Sequence, residues 1–152
     1  MDNNHRKPVR TIREIYRIGH GPSSSHTMAP RRAAELFLQR QNKDILSRIN
    51  ISLYGSLAAT GKGHLTDMTI NEALEGYACD FIWLPKDKMP RHPNSLKLES
   101  FDSSGSLLDS WIVYSTGGGE LMDDNGEIVG ELEKVRYPFQ TMSELLDLCT
   151  SR

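Results

Sequence analysis

The stretch Ile49-Asn-Ile-Ser-Leu-Tyr54 decides the fold, because apolar and polar residues alternate along it as they do in a half-buried β-strand. The strand is expected to stop at Gly55, where a loop containing three glycines begins. Beyond this loop, Thr66 or Asp67 can cap a helix that carries apolar residues at helical spacing and closes at Gly76. The region therefore predicts a strand, a glycine-rich loop and a helix in succession.

Two helices are predicted on the amino-terminal side of this strand. Thr11 and Glu14 fit a capping box for a short helix over 12–18, and a second helix is expected over 28–41 with Pro30 in its first turn. Residues 1–10 are polar and basic, so we expect them to form a flexible lead-in. A single domain over 11–152 follows from this division.

The carboxyl-terminal side is richer in strands. Three prolines in 85–93 exclude a long regular element there, and Gly117-Gly-Gly119 is expected to break the sheet. Turn residues occur at Asp102-Ser-Ser-Gly105 and Asp124-Asn-Gly126. The expected strands are 81–84, 95–101, 107–115 and 128–137, and a closing helix is expected over 141–149. With helices early and strands late, the fold class is α+β: a two-layer sandwich with a mixed or mostly antiparallel sheet and helices on one face.

Composition narrows the function classes. The chain has 152 residues, with 18 basic and 20 acidic side chains and a net charge of −2, so it offers no broad basic surface for nucleic acid. The longest apolar run is Phe81 to Leu84, far below the roughly 20 residues that a membrane-spanning helix needs. We therefore expect a soluble, cytoplasmic protein that binds neither nucleic acid nor membrane.

The two cysteines do not form a recognisable framework. Cys79 and Cys149 lie far apart in the sequence and neither belongs to a paired motif. This spacing argues against a disulfide scaffold and equally against a thiolate metal site made by this chain alone. No metal ligands are assigned.

The first segment that carries chemistry is Gly21-Pro-Ser-Ser-Ser-His-Thr27, directly ahead of a predicted helix. Hydroxyl groups and unpaired backbone N–H groups at the positive end of a helix dipole are suited to bind a carboxylate or a phosphate. The alternative is that Ser25 or Thr27 merely caps the helix while the other hydroxyl groups face water. A serine hydrolase is disfavoured, because Ser25 stands where the G-x-S-x-G pattern requires glycine.

The second segment is Gly55-Ser-Leu-Ala-Ala-Thr-Gly-Lys-Gly-His64. It does not match the phosphate-binding loop G-x-x-x-x-G-K-[ST], because five residues separate the glycines and a glycine follows Lys62. What remains is a loop that can place Lys62 to neutralise an anion and His64 to transfer a proton near neutral pH. An ordinary surface loop with an exposed histidine is the alternative.

These segments, with His92-Pro-Asn94 and Tyr114-Ser-Thr-Gly-Gly-Gly119, occur in the order found in the beta chain of iron–sulfur-dependent L-serine dehydratase, which this sequence resembles from about Thr11 to Cys149. The resemblance implies conversion of L-serine to pyruvate and ammonia, with an open iron of a 4Fe-4S cluster acting as a Lewis acid on the serine hydroxyl. A related domain in some D-3-phosphoglycerate dehydrogenases is an allosteric module. A non-catalytic serine- or anion-binding module is therefore the alternative function.

The resemblance also assigns roles to residues. It implies that His64 transfers the α-proton and that Ser23 to Thr27 hold the substrate carboxylate. The predicted substrate-binding residues are Ser23, Ser24, Ser25, His26, Thr27, Thr60 and Lys62.

The cluster itself is expected elsewhere. It needs about three or four thiolate ligands, more than Cys79 and Cys149 can supply. In the family its cysteines belong to the alpha chain or alpha domain, so the resemblance implies such a partner, with the protein active only as part of a homo- or hetero-oligomer.

Overall fold

The computed structural model describes residue 19 and residues 21–130 and 141–151. These fall into two compact units, one spanning Gly19–Gly130 and the other containing the described residues 141–151. The predicted helix over 12–18 and the part of the predicted strand beyond residue 130 lie outside the described residues. Nowhere in the described ranges does a helix combine the length and apolar character needed to cross a membrane.

The helices of the first unit lie in two groups. A π-helical turn, Ser24–Met28, continues directly into α1, Ala29–Gln39, which has a proline in its first turn. Helix α2, Gly55–Thr60, runs into a 3₁₀ turn, Gly61–His64, and then into α3. Helix α3 spans Thr66–Ala73. The second unit contains α4, Met142–Thr150, which starts with the predicted capping box between Thr141 and Glu144.

Six strands form one open sheet. They are β1, Arg48–Tyr54; β2, Ala78–Leu84; β3, Asn94–Phe101; β4, Leu107–Gly117; β5, Glu120–Asp123; and β6, Ile128–Val129. The order across the sheet is β2-β1-β3-β4-β5-β6. Strands β1 and β2 are parallel, joined by the crossover through α2 and α3, whereas each of the other neighbouring pairs is antiparallel. The α+β class and the mixed sheet are therefore confirmed.

The alternation that predicted β1 selects the buried face. Ile49, Ile51 and Leu53 are fully buried, and Leu98 and Leu96 of β3 lie opposite the last two of these residues. Side chains from the helices of the first unit complete the same hydrophobic core; they include Ala33, Phe37, Leu57 and Ile70. These helices thus cover the face of the sheet to which the odd-numbered residues of β1 point.

The predicted glycine-rich loop after β1 is wrong, because most of this segment is helical. Gly55 starts α2 with φ +51°, and Leu57 and Ala58 then point into the core. The apolar contacts of these two side chains favour a helical turn over an irregular loop. The predicted caps of the next helix are also wrong: α3 begins after Leu65, and neither Thr66 nor Asp67 caps it from outside.

The prediction that Gly117-Gly-Gly119 breaks the sheet is wrong as well. The chain turns at Gly117-Gly-Gly119, where all three residues have positive φ, and β5 then pairs with β4. Glycine is needed here because the turn uses backbone conformations that other residues rarely adopt. The turn therefore extends the sheet to β5 and β6 instead of ending it.

Candidate active site

The candidate site lies at the end of the sheet where β1 stops and β3 begins. The Gly55 N–H donates to the Asp87 carbonyl at 3.0 Å, and the Ser56 N–H donates to the Pro93 carbonyl at 3.2 Å. A Cβ atom at Gly55 would stand 2.5 Å from the Pro93 carbonyl oxygen, so glycine is required for this approach as well as for the positive φ. The start of α2 is thereby fixed against the segment that precedes β3.

His26 connects the two segments that the sequence singled out. Its Nδ1 lies 3.0 Å from Ser25 Oγ, and its Nε2 lies 3.1 Å from Ser56 Oγ in α2. Burial and, secondarily, the nearby His64 imidazole lower the pKa of His26 below its usual 6.5, while the hydrogen bond with Ser56 opposes this shift. His26 is therefore neutral at neutral pH and uses one nitrogen as a donor and the other as an acceptor.

His64 is placed beside His26, with the two ring centroids 4.9 Å apart. Its Nδ1 lies 2.9 Å from the Thr60 carbonyl oxygen, one helical turn earlier. A carbonyl can only accept a hydrogen bond, so Nδ1 must carry the proton. In the neutral ring, Nε2 then carries the lone pair, and within the described part of the chain Nε2 has no hydrogen-bond partner. His64 is thus arranged to accept a proton at Nε2.

Threonine hydroxyl groups fix the backbones of the two segments to each other. The buried Thr27 donates its Oγ1 hydroxyl to the His64 carbonyl at 2.9 Å, and Thr66 donates to the His26 carbonyl. Thr69 donates to the Leu65 carbonyl at 3.1 Å. The Thr27 and Thr66 bonds run in opposite directions between the π-helical turn and the segment formed by the 3₁₀ turn and the start of α3, so the positions of the two histidines are coupled.

Leu65 joins the 3₁₀ turn to α3 in a left-handed conformation, with φ 59° and ψ 31°. It is the one non-glycine residue with positive φ in the described ranges. This conformation costs about 1–2 kcal/mol for an L-residue with a bulky side chain, whereas glycine adopts it freely. Despite this cost the leucine side chain remains 41 % exposed, next to His64.

The serine residues of the π-helical turn have different environments. Ser23 Oγ accepts a hydrogen bond from the His26 N–H at 3.2 Å and lies 3.4 Å from Ser25 Oγ. The Ser25 carbonyl accepts a hydrogen bond from Ser115 Oγ of β4 at 2.8 Å. Ser24 is exposed, and its hydroxyl and the N–H groups of Ser24 and Ser25 have no hydrogen bond to other described residues. These are the groups left open to an anion.

The remaining predicted site residues, Thr60 and Lys62, lie on the same helix–turn segment. The Thr60 hydroxyl donates to the Ser56 carbonyl at 2.9 Å, so its proton is not free to bind a substrate. The Lys62 ammonium lies 5.4 Å from the centroid of the Trp83 ring, within the range of a cation–π interaction. A Cβ atom at Gly61 would be 2.8 Å from Cζ3 of the same ring, so Trp83 packs directly on this turn.

The structure therefore brings all eight predicted site residues into one region, but only some of their polar groups are open to a ligand. It also adds four residues that the sequence analysis did not assign: Ser56, Thr66, Trp83 and Ser115. Ser56, Thr66 and Ser115 adjoin or lie within the motifs quoted above, so their polar side chains were a usable signal. Trp83 had no such signal, because its role depends on the pairing of β2 with β1.

The described residues do not fit an iron–sulfur cluster. They contain no group of three or more histidine, cysteine or acidic side chains placed to hold a metal ion. Burial raises the pKa of the Cys79 thiol, which disfavours the thiolate that a metal would need. Cys149 belongs to the other unit of the chain.

The fold and the site define an α+β domain that presents paired imidazoles and serine hydroxyl groups at one end of an open mixed sheet. Residues 11–83 match the model of the serine dehydratase beta chain family, and this part of the chain belongs to that family. The match includes both segments that carry the histidines.

Curated relatives extend the similarity along most of the chain. An L-serine dehydratase of Helicobacter pylori (strain J99) is 35 % identical over 91 % of this chain and 39 % of its own length. An L-serine dehydratase of Streptomyces coelicolor is 30 % identical over 91 % of this chain and 40 % of its own length. L-serine dehydratase 1 of Escherichia coli K12 is 28 % identical over 90 % of this chain and 39 % of its own length. The chain thus spans about two fifths of these relatives.

Proposed function

We propose that this chain is the beta subunit or beta domain of an iron–sulfur L-serine dehydratase, which binds L-serine and removes its α-proton. The observation that carries the proposal is the arrangement of His64, whose Nδ1 is engaged by the Thr60 carbonyl while Nε2 is left open. This arrangement supports a general base beside a segment able to bind a carboxylate. The names of the relatives supply the substrate and the reaction.

The proton-transfer role follows from the tautomer. With Nδ1 protonated, the lone pair on Nε2 can take the α-proton of the substrate, and the Thr60 carbonyl stabilises the imidazolium that forms. The neutral His26 ring, 4.9 Å away, adds little electrostatic repulsion to that imidazolium. Thr27 fixes the backbone of this base by donating a hydrogen bond to the His64 carbonyl.

Binding of the substrate carboxylate is assigned to the serine turn. The exposed Ser24 hydroxyl and the N–H groups of Ser24 and Ser25 are the open donors in this turn. Backbone N–H groups at the start of a helical segment favour an anion. Ser23 and Ser25 shape the turn through their bonds to His26, and Lys62 adds a positive charge near the site.

The cluster belongs in this proposal to a partner. Because the described residues lack a suitable ligand set, the 4Fe-4S group is assigned to an alpha chain or alpha domain that faces the two histidines. The relatives are long enough to contain such a domain in addition to the matched region.

The test combines the purified chain with an anaerobically reconstituted, cluster-bearing alpha polypeptide from the same organism and measures pyruvate formed from L-serine. His64→Asn is the sharpest variant, because the asparagine amide can still donate to the Thr60 carbonyl but has no group corresponding to Nε2. We expect kcat to fall by about 10²–10⁴-fold with KM little changed, as for loss of a general base. A kcat within tenfold of the wild-type value would contradict the base assignment.

The carboxylate assignment has its own test. Ser24→Ala removes an open hydroxyl group without breaking any hydrogen bond that the structure shows, so KM for serine should rise while stability is unchanged. Ser103→Ala, at an exposed serine in the turn between β3 and β4 at the opposite end of the sheet, is a matched hydroxyl deletion that should leave KM unaffected. An unchanged KM for Ser24→Ala would restrict carboxylate binding to the backbone.

The alternative, a non-catalytic serine- or anion-binding module, predicts a different outcome. The chain would bind serine or a small carboxylate, and no cluster-bearing partner would restore turnover. Binding measured by calorimetry on the chain alone, next to the pyruvate assay with the partner, separates the two functions.

A further inference from the structure

An exposed apolar patch borders the candidate base. Leu65 follows His64 directly and is 41 % exposed, and Met68, three residues further on, is 45 % exposed. Leu65 directly precedes α3 and Met68 lies in its first turn, so the junction between the 3₁₀ turn and α3 carries two exposed apolar side chains and forms an apolar surface patch. We call it the Leu65–Met68 patch.

The backbone at Leu65 makes this exposure informative. The left-handed conformation is imposed by the change from the 3₁₀ turn to α3, and it is held by hydrogen bonds from Thr69 to the Leu65 carbonyl. Glycine or asparagine would meet the same requirement with less strain. With 41 % of its surface exposed, Leu65 is only partly buried in this domain, and burial of the remainder against another polypeptide would help to offset the strain.

We infer that the Leu65–Met68 patch is a docking surface for the cluster-bearing alpha partner, an inference that rests on the proposed function. About three fifths of each relative's length lies beyond the region matched by this chain, so a large additional polypeptide exists to cover the patch. Leu65 directly follows His64 in the chain, so a partner that brings the cluster to this base would come close to the patch.

The charges around the patch fit an apolar contact with a polar rim. Lys62 precedes the patch in the chain and Asp67 lies between its two residues; they carry opposite charges, and both are solvent-accessible. Interfaces between proteins commonly combine an apolar centre with such a rim. The partner is therefore expected to present an apolar surface next to its cluster.

The test uses Leu65→Asn, which keeps a residue tolerant of the left-handed conformation but removes the apolar side chain. Turnover of L-serine is measured while the cluster-bearing alpha polypeptide is titrated into a fixed amount of the chain. We expect the alpha concentration that gives half-maximal turnover to rise at least tenfold. Turnover at saturating alpha should equal the wild-type value, and the urea midpoint of the chain should not fall.

Leu107→Asn is the matched control. Leu107 is 54 % exposed and lies at the opposite end of the sheet, where it pairs with Phe101. This variant should leave the half-saturating concentration within twofold of wild type. Met68→Gln should weaken docking in the same direction as Leu65→Asn.

The outcomes separate the two proposals. If the wild-type chain turns over serine with the partner but Leu65→Asn has an unchanged half-saturating concentration, the docking inference is overturned and the proposed function stands. If the wild-type chain forms no active complex at any partner concentration, both are overturned. If sedimentation shows that Leu65→Asn abolishes self-association of the wild-type chain without affecting the partner, the patch is an interface between copies and the inference is also overturned.

Discussion

Replacement of Thr27 by valine tests the link between the two segments of the site. Valine has nearly the volume of threonine, so the variant removes the hydroxyl group while the buried packing is retained. The lost bond is the one from Thr27 Oγ1 to the His64 carbonyl, at 2.9 Å, from a side chain with no exposed surface. We expect a stability loss of about 1–2 kcal/mol, because the net contribution of such a bond is about 0.5–1.5 kcal/mol and the carbonyl is left partly unsatisfied.

The assay is urea denaturation of the chain followed by circular dichroism. With a slope of about 2 kcal/mol per molar urea, the midpoint should fall by about 0.5–1 M. Thr150→Val is the control, because its hydroxyl group also donates to backbone carbonyls but lies exposed at the end of α4. Equal stability of Thr27→Val and the wild-type chain, within about 0.5 kcal/mol, would refute the reasoning that this bond couples the turns.

Three further predictions follow from single contacts. Gly61→Ala should destabilise the chain by about 1–3 kcal/mol, because its Cβ atom would stand 2.8 Å from Trp83 Cζ3. Gly63→Ala should leave the stability unchanged, because no atom lies within 4 Å of the added Cβ. The thermal unfolding midpoints of the two variants test this difference. The folded state lowers the pKa of His26 below 6.5, so the unfolded chain binds more protons at this residue. The free energy of unfolding should therefore fall as the pH drops through 6.5. Urea titrations at several pH values should show a flatter pH dependence for His26→Gln than for the wild-type chain. Tyr114→Phe should cost about 1 kcal/mol by losing its 2.8 Å bond to Asp124, and the wild-type phenol, with a pKa of about 12, should resist ionisation until strongly alkaline pH in absorbance titrations.

Local sequence signals predicted those elements whose structure is decided locally. The alternation in 49–54 defined β1 and its buried face, and the capping box at Thr141 defined the start of α4. Proline in the first turn marked the start of α1. The α+β class followed from the order of such elements. In each case the deciding sequence pattern lies within a few residues along the chain.

Long-range packing decided what the sequence analysis could not predict. Gly55–Thr60 became helical because its apolar side chains enter a core built by distant strands. The left-handed Leu65 has no signature, since leucine is a poor candidate for that conformation. The segments containing His26 and His64 were each identified by residue type, but their proximity depends on hydroxyl groups that bridge 30 to 40 positions of sequence.

The turn over 102–106 stands at the end of the sheet opposite the histidines, since β1 pairs with β3 from Tyr54 and Ser95 at one end to Arg48 and Phe101 at the other. Its own hydrogen bonds close it locally, from the Asp102 N–H to the Ser106 carbonyl. A fluorophore or an affinity peptide inserted there would report on the assembled protein without touching the reacting groups. The sheet thus places a turn that should tolerate insertions at the opposite end of three strands from the candidate catalytic residues.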